Sequence, residues 1–298
     1  MTAPEISVII PVRDRPRALA RALASVRAQV DADFEVIVVD DASDRPVEAP
    51  GARIVRLDVN GGPARARNRG VEASRGRFLA FLDSDDIWLP NKLSAQRETI
   101  AGHGPATALV CGYIYHGRGE AAPAARMPEG ASTPEAFASG CWYCPGSTLF
   151  VRREEFDAVG PFDESLRRLE DLDWALRFSL IGGRLACVPV TGAAIRPSRS
   201  QGLATVEAAA ARLKAKFGSD GANALPPGAY RRLLAYLDVE LAAVHRNEGR
   251  PGMTAVHLLR SLLRVPRLTV PLGRHWHPGP PPRAAEEAAY AALEADTD

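Results

Sequence analysis

The chain predicts an α/β protein, a mostly parallel central sheet between two layers of helices, followed by a helical C-terminal region. Three observations carry this. Short, mainly apolar runs recur at Ile6–Pro11, Phe34–Val39 and Phe78–Leu82, the length and character of strands buried on both faces of a sheet. Helix-period stretches alternate with them, as right-handed βαβ units require. Each run also ends in polar residues, at Pro11–Arg13, Asp40–Asp41 and Asp83–Asp86. Ligands of open α/β sheets bind beyond the carboxyl ends of their strands, so three such ends define one candidate rim.

The elements follow in order. After ISVIIP, Pro11 fixes φ and removes an amide donor, which closes the first strand. Pro16 suits a first helical position, and Leu19, Leu23, Val26 and Val30 form one apolar stripe behind it. Ala52–Leu57 is a third strand candidate. Asn60-Gly61-Gly62-Pro63 is a turn opening a helix that runs to about Ser74. Pro90–Ile100 reads as a helix, Ala108–Tyr115 as a strand, and 118–138, rich in Gly, Ala and Pro, as a loop excursion. Gly146–Arg152 reads as a strand, Glu154–Val159 as a short helix stopped by Gly160-Pro161, and Leu172–Ile181 as a helix. Residues 1–200 are expected to form the main domain. Residues 201–298 form a helical region packed on it, with helices at Val206–Phe217, Tyr230–Arg246 and Thr254–Leu263 and a last short one at Glu286–Ala295. Arg274-His275-Trp276-His277-Pro278 reads as a surface loop.

Composition narrows the function. The 298 residues are 46% hydrophobic and 24% charged with a net charge of +1, a soluble globular balance with no case for nucleic-acid binding. The only lysines are Lys92, Lys214 and Lys216, an arginine-for-lysine bias typical of a GC-rich bacterial genome. No apolar run reaches the ~20 residues needed to span a bilayer. A cytoplasmic location follows as the expectation. The stripe Val256, Leu259, Leu262 and Leu263, set among arginines, is expected to pack on the main domain, with adsorption to an anionic membrane face as its second reading. Cys141-Trp-Tyr-Cys144 has no second pair or His cluster to complete a zinc site, so reduced structural thiols are expected.

Two acidic centres carry the chemistry. In RFLAFLDSDDIWLP, an apolar strand stops at Asp83, Asp85 and Asp86. Asp83 and Asp85 are two apart and point to one side of an extended chain, a seat for a hard divalent cation carrying phosphates. The alternative is an acidic turn that caps the next helix. In LEDLDW, Glu170, Asp171 and Asp173 open a helix, where a carboxylate serves either as an N-cap or as a catalytic group. Arg65, Arg67 and Arg69 in the first turns after Gly61-Gly62 oppose the helix dipole, which calls for an anion such as a diphosphate, with a solvated face as the alternative reading for some of them. Neither a dinucleotide fingerprint nor a Walker A loop is present.

The stretches ISVIIPVRDRP, EVIVVDDAS, NGGPARARNRG, RFLAFLDSDDIWLPNKL, GSTLFVRREEFDAVGPFDE and LEDLDWALR resemble, in that order, the motifs of glycosyltransferase family 2 across about residues 5–200. The resemblance implies a GT-A fold, an αβα sandwich binding a nucleotide sugar, and transfer with inversion from a nucleoside diphosphate sugar. It implies that Pro11, Arg13 and Asp41 hold the nucleoside and that Arg67 meets base or phosphates. Asp83 and Asp85 fall on the DxD motif, Asp83 near the ribose and Asp85 on Mn²⁺ or Mg²⁺. Asp171 matches the general base, with Glu170 and Asp173 as neighbours that orient base or acceptor. The chain departs from an Arg-x-His element found in many relatives: Ile195-Arg196-Pro197-Ser198-Arg199-Ser200 carries Ser198 where the His would stand, leaving Arg196 and Arg199 for the diphosphate. UDP is the favoured nucleotide by family frequency, with GDP and dTDP open. The acceptor is a glycan, a lipid-linked glycan, a peptide or a small molecule. A sugar-nucleotide pyrophosphorylase is disfavoured because the loop PVRDRP lacks glycine. A non-catalytic carbohydrate- or nucleotide-sugar-binding module is disfavoured by retention of Asp85 and Asp171.

Overall fold

The computed structural model describes residues 3–115, 123–141, 145–196, 202–266 and 276–278, with positions 284, 287, 288 and 291. Strand β1 (Ile6–Val12) leads into helix α1 (Pro16–Arg27), then β2 (Phe34–Asp40) and β3 (Arg53–Arg56). Helix α2 (Gly62–Ala73) returns the chain to β4 (Phe78–Phe81). Parallel pairing sets the order β4-β1-β2-β3, with Ile9 beside Phe81 and Ile37, and Val12 beside Asp40. That register brings the ends of β1, β2 and β4 to one rim.

Beyond this parallel half the sheet is mixed. The short strand β5 (Ile87–Trp88) is followed by helix α3 (Lys92–Ala101) and strands β6 (Thr107–Tyr115) and β7 (Ala124–Pro128). Then come helical turns α4 (Pro134–Phe137) and α5 (Pro145–Thr148), strand β8 (Phe150–Arg152), and helices α6 (Arg153–Val159) and α7 (Glu170–Leu180). Strand β9 (Arg184–Ile195) runs parallel to β6 and antiparallel to β5. Helices α8 (Leu203–Phe217), α9 (Pro227–Asn247) and α10 (Pro251–Arg264) follow, and β10 (Trp276–Pro278) pairs antiparallel with β7.

Alternation along β1 shows why the sheet is buried on both faces. Val8, Ile10 and Val12 face a core with Leu19, Leu23 and Val26 of α1 and Leu93 and Ile100 of α3. Ile9 faces the opposite core, shared with Ala64 and Val71 of α2, Phe156 of α6 and Trp174 of α7. This second core continues without a break into Leu213 and Phe217 of α8 and Leu233 and Leu237 of α9.

The structure corrects several sequence expectations. The excursion at 118–138 contains β7 and α4, and 276–278 is an edge strand rather than a loop. Gly146–Thr148 belongs to a helical turn, so the expected strand Gly146–Arg152 shrinks to β8. Of the stripe expected to pack on the main domain, Val256, Leu259 and Leu263 are exposed and Leu262 is half-buried. Ser198, Arg199, Cys144 and His275, together with most of the helix expected at Glu286–Ala295, lie outside the described residues.

Candidate active site

Asp41 follows β2 and is nearly buried. Its carboxylate accepts the amides of Gly61 and Gly62 at 2.6 and 2.8 Å and Asn60 Nδ2 at 2.8 Å, closing the turn that opens α2. Gly62 needs its missing Cβ, since φ is +82° and a Cβ would meet Arg167 Nη1 at 2.8 Å. The amide of Asp41 donates to Val12 O at 2.9 Å, which ties the rim back to the Pro11-Val12 end of β1. Neighbouring Asp40 is structural. Burial raises its pKa, but bonds from Ser43, the Arg56 charge and the Val47 amide outweigh that and hold it below the usual carboxylate range. Arg13 stands exposed beside Asp14, at 3.3 Å.

The two acidic centres meet at one guanidinium. Arg67 lies on the buried face of α2, and its Nη2 donates to Asp83 Oδ1 at 2.6 Å. Its Nη1 donates to Glu170 Oε1 at 2.7 Å, 103 positions away in sequence. The same guanidinium lies over the Phe162 ring, 5.8 Å from its centroid. Arg69, by contrast, is exposed and pairs with Glu72 on its own helix.

The acidic loop after β4 is tightly braced. Arg15 pairs with Asp85. Ser147 Oγ donates to Asp86 and accepts the Asp83 amide at 3.1 Å, while Trp88 Nε1 donates to Ser147 O at 2.7 Å. Arg196 contributes its backbone amide to Asp86 Oδ1 at 2.8 Å. Gly146 leaves the room that Asp83 needs, since a Cβ there would stand 2.7 Å from Asp83 Oδ2. Beneath the loop, Lys92 is fully buried over the Trp88 ring at 3.9 Å and donates to Gln96 Oε1 at 2.7 Å. Burial pushes its pKa down to about 8.

This loop fits a divalent cation. Burial raises the pKa of Asp85, with the Asp83 charge adding to it and Arg15 opposing. Burial, and then the charges of Asp85 and Asp83, push Asp86 well above the ordinary carboxylate range. Crowded hard oxygen donors of this kind suit Mg²⁺ or Mn²⁺. Asp83 and Asp85 each give one oxygen to an arginine and keep a second. Among the described residues no three His, Cys, Asp or Glu side chains converge on a point, so further oxygens would have to come from a ligand.

Asp171 sits at the start of α7. Leu169 before it adopts a left-handed conformation (φ +62°), a strain of order 1–3 kcal/mol for a non-glycine residue. Asp171 Oδ1 accepts the Leu172 amide at 2.7 Å and the Cys141 thiol at 3.4 Å. A cavity of about 10 Å³ lies beside it, walled by Phe162, Trp174 and Phe178 and by Arg67. Burial raises the Asp171 pKa to about 6, with the Glu170 charge adding to it and Arg67 opposing. Asp173 departs from the expectation of a catalytic neighbour. Its side chain is completely buried, paired with Arg177 at 2.9 Å and Lys216 at 2.6 Å, and it fastens α8 to α7.

A network absent from the sequence reasoning supports Asp171 from α9. Tyr236 Oη donates to Glu240 Oε1 at 2.5 Å, and Glu240 Oε2 accepts Arg168 Nη2 at 2.6 Å. Gly140, next to Cys141, has φ +124°, and a Cβ there would meet the Tyr236 ring at 2.4 Å. Both segments that approach Asp171 are thus held by one helix of the C-terminal region. Burial, and then Asp171 and Glu240, push the Cys141 thiol well above its ordinary range, so it is a neutral donor.

The parallel half of the sheet gathers an acidic loop, a buried arginine and a carboxylate with raised pKa at its strand ends, the place where α/β sheets bind ligands. Residues 7–160 match the model of "Glycosyl transferase family 2", more than half of the chain, and the protein belongs to that family. It is 31% identical over 215 residues to the succinoglycan biosynthesis protein ExoO of Rhizobium meliloti (strain 1021), covering 63% of this chain and 60% of that protein. It is 32% identical over 210 residues to a pre-mycofactocin glycosyltransferase of Mycobacterium tuberculosis (strain CDC 1551 / Oshkosh), covering 62% of this chain and 41% of that protein. The match thus takes in less than two thirds of either relative. Among solved structures, S. aureus TarS 1–349 in complex with UDP superposes with a TM-score of 0.59 at 21% identity, covering 97% of this chain and 90% of that one. The same protein in complex with UDP-GlcNAc gives a TM-score of 0.59 at 19% identity. The fold is therefore of the GT-A type.

Proposed function

We propose that this chain transfers a sugar from a nucleoside diphosphate sugar, UDP favoured, to an acceptor hydroxyl with inversion. Asp171 is the general base, and Asp83 and Asp85 hold Mn²⁺ or Mg²⁺. The observation that carries the reading is Arg67, which joins Asp83 of one acidic centre to Glu170 of the other. Donor phosphates at the first centre and an acceptor at the second would then share one short stretch of rim. The UDP and UDP-GlcNAc complexes of TarS support the choice of nucleotide.

The chemistry follows from the residues. A hydroxyl is a weak nucleophile at neutral pH, so a carboxylate must take its proton as attack proceeds. With its pKa raised to about 6, Asp171 is mostly ionised at pH 7 and yet a stronger base than an ordinary carboxylate. Glu170 is committed to Arg67, which leaves the proton to Asp171. A single base opposite the leaving group suffices for one displacement, and inversion results. When bound, the cation stabilises charge developing on the departing diphosphate. Arg67 pairs with and orients Asp83 and Glu170, and Arg15 orients Asp85.

The acceptor hydroxyl belongs to a glycan, lipid-linked glycan, peptide or small molecule that reaches the Asp171 side of the rim. A thermal-shift screen of UDP, GDP, dTDP and their sugars, with and without Mn²⁺, tests the donor assignment, because ligands that bind the native state raise the midpoint by mass action. Stabilisation by UDP species that grows with Mn²⁺ is the expected result; no shift with any nucleotide overturns the reading.

A further inference from the structure

Among the described residues eight large hydrophobic side chains are exposed, and four of them lie on α10: Met253, Val256, Leu259 and Leu263, at 42%, 40%, 58% and 77%. Single exposed apolar residues need no explanation, but a contiguous row does. Spacings of three, three and four place these four on one face of the helix. The adjoining face, with His257, Ser261 and Arg264, is engaged with α9. His257 Nδ1 lies 2.9 Å from Asp238 Oδ1 and its ring stacks on His245 at 5.4 Å, while Arg264 pairs with Asp238 and Ser261 is buried. The helix is therefore firmly seated, and its outward row has been left apolar.

The charge around the row identifies what covers it. Helix α10 itself holds no Asp or Glu and carries Arg260 and Arg264. Arg260 is exposed on the same side as the apolar row. A second copy docked through this face would bring a second Arg260 into the same apolar patch, with no acidic side chain on α10 to pair with either. An anionic bilayer satisfies both parts, apolar side chains entering the acyl boundary and guanidinium groups meeting phosphates. No helix among the described residues is long and apolar enough to cross a membrane, so the contact lies in the interface plane.

We propose that α10 is a membrane-docking helix that seats the protein on an anionic lipid surface through Met253, Val256, Leu259 and Leu263, with Arg260 at the headgroups. Tyr236 and Glu240 lie on the face of α9 turned to Asp171, and Asp238 and Ala242 on the face that contacts α10. Docking therefore leaves the rim open. The proposal is independent of the transfer reaction, and its test needs no substrate.

The full chain is sedimented with vesicles of phosphatidylcholine alone and of phosphatidylcholine mixed with phosphatidylglycerol. Binding to the mixed vesicles is expected, weaker in high salt and weaker without the anionic lipid. Leu259→Gln/Leu263→Gln is expected to lower vesicle binding by about tenfold or more, since the buried apolar row supplies the hydrophobic part of adsorption. Both positions are exposed, so the thermal midpoint and UDP binding should stay as in the parent. Arg260→Gln should weaken binding to the mixed vesicles only. Equal binding by the double variant and the parent overturns the proposal. So does a parent that ignores vesicles but dimerises in light scattering, with the dimer lost in the double variant, because the row is then covered by a second copy.

Discussion

Replacing Arg67 by Met tests whether the two acidic centres are one site. Met keeps an apolar stem against Phe162 but removes both ion pairs, at 2.6 and 2.7 Å. Glu170, 6% exposed, is then left without its cation. Breaking a buried pair on one side costs about 3–5 kcal/mol. The Asp83 side chain is 36% exposed and water can recover part of its loss, which puts the expectation near the lower end, about 3 kcal/mol. At about 2–4 °C per kcal/mol the thermal midpoint should fall by roughly 6–12 °C. Urea unfolding followed by tryptophan fluorescence gives the free energy directly. Arg69→Met, which breaks only an exposed pair with Glu72, should leave the midpoint unmoved. Arg67 is also the group that lowers the Asp171 pKa, so the variant should carry Asp171 above about 6 and need a higher pH for any turnover. A stability loss below about 1 kcal/mol would mean that Arg67 holds no buried charge in solution, and the joined-site reasoning would fail.

Other expectations can be checked alongside. Asp85→Asn should keep the fold and abolish the Mn²⁺-dependent part of UDP affinity in calorimetry; full retention of that part would remove Asp85 from the metal site. Glu240→Ala strands Arg168 and the Tyr236 hydroxyl and should cost about 1–3 kcal/mol in urea unfolding, with no change in UDP affinity. Native Asp171 holds its proton up to about pH 6, against 3.8 for an ordinary Asp. The native state therefore binds more protons than the unfolded one between those values, and parent stability falls as pH rises through that window. Asp171→Asn removes this loss, so the variant should be more stable than the parent at neutral pH and lose that advantage at about pH 4. Equal differences at both values would show that Asp171 is not shifted.

The parallel half of the sheet was legible because β1, β2 and β4 are mainly apolar runs, each ending at a polar rim. The mixed half was not. Strand β10 (WHP) is a short edge strand and β7 (AARMP) the short strand beside it, and their pairing is set by tertiary context rather than by local propensity. The run TLFV invited a strand from Gly146 onward, yet Pro145–Thr148 coils into a turn that delivers Ser147 to Asp83 and Asp86. Arg67 carried a signal that went unread: Ala64, Arg67 and Val71, spaced three and four, put an arginine on the apolar stripe of α2, so its partners had to be internal. Asp173 likewise stands four residues before Arg177, the spacing of a helical ion pair. Nothing local linked Tyr236, Glu240 and Arg168 to Asp171, since α9 joins the site through tertiary packing and the Arg168–Glu240 pair, 72 positions apart in sequence.

The most direct measurement of the catalytic claim is the steady-state release of UDP from the sugar donor that ranks first in the thermal-shift screen, for the parent, Asp171→Asn and Glu170→Gln. Asn still accepts the Leu172 amide and caps a helix almost as well as Asp, so the fold and donor affinity should hold. Loss of the base should lower turnover on the order of 10²–10⁴-fold, and the parent's rate should rise with pH through about 6. Asp171→Asn retaining most of its turnover while Glu170→Gln loses it would contradict the assignment and give the base to Glu170.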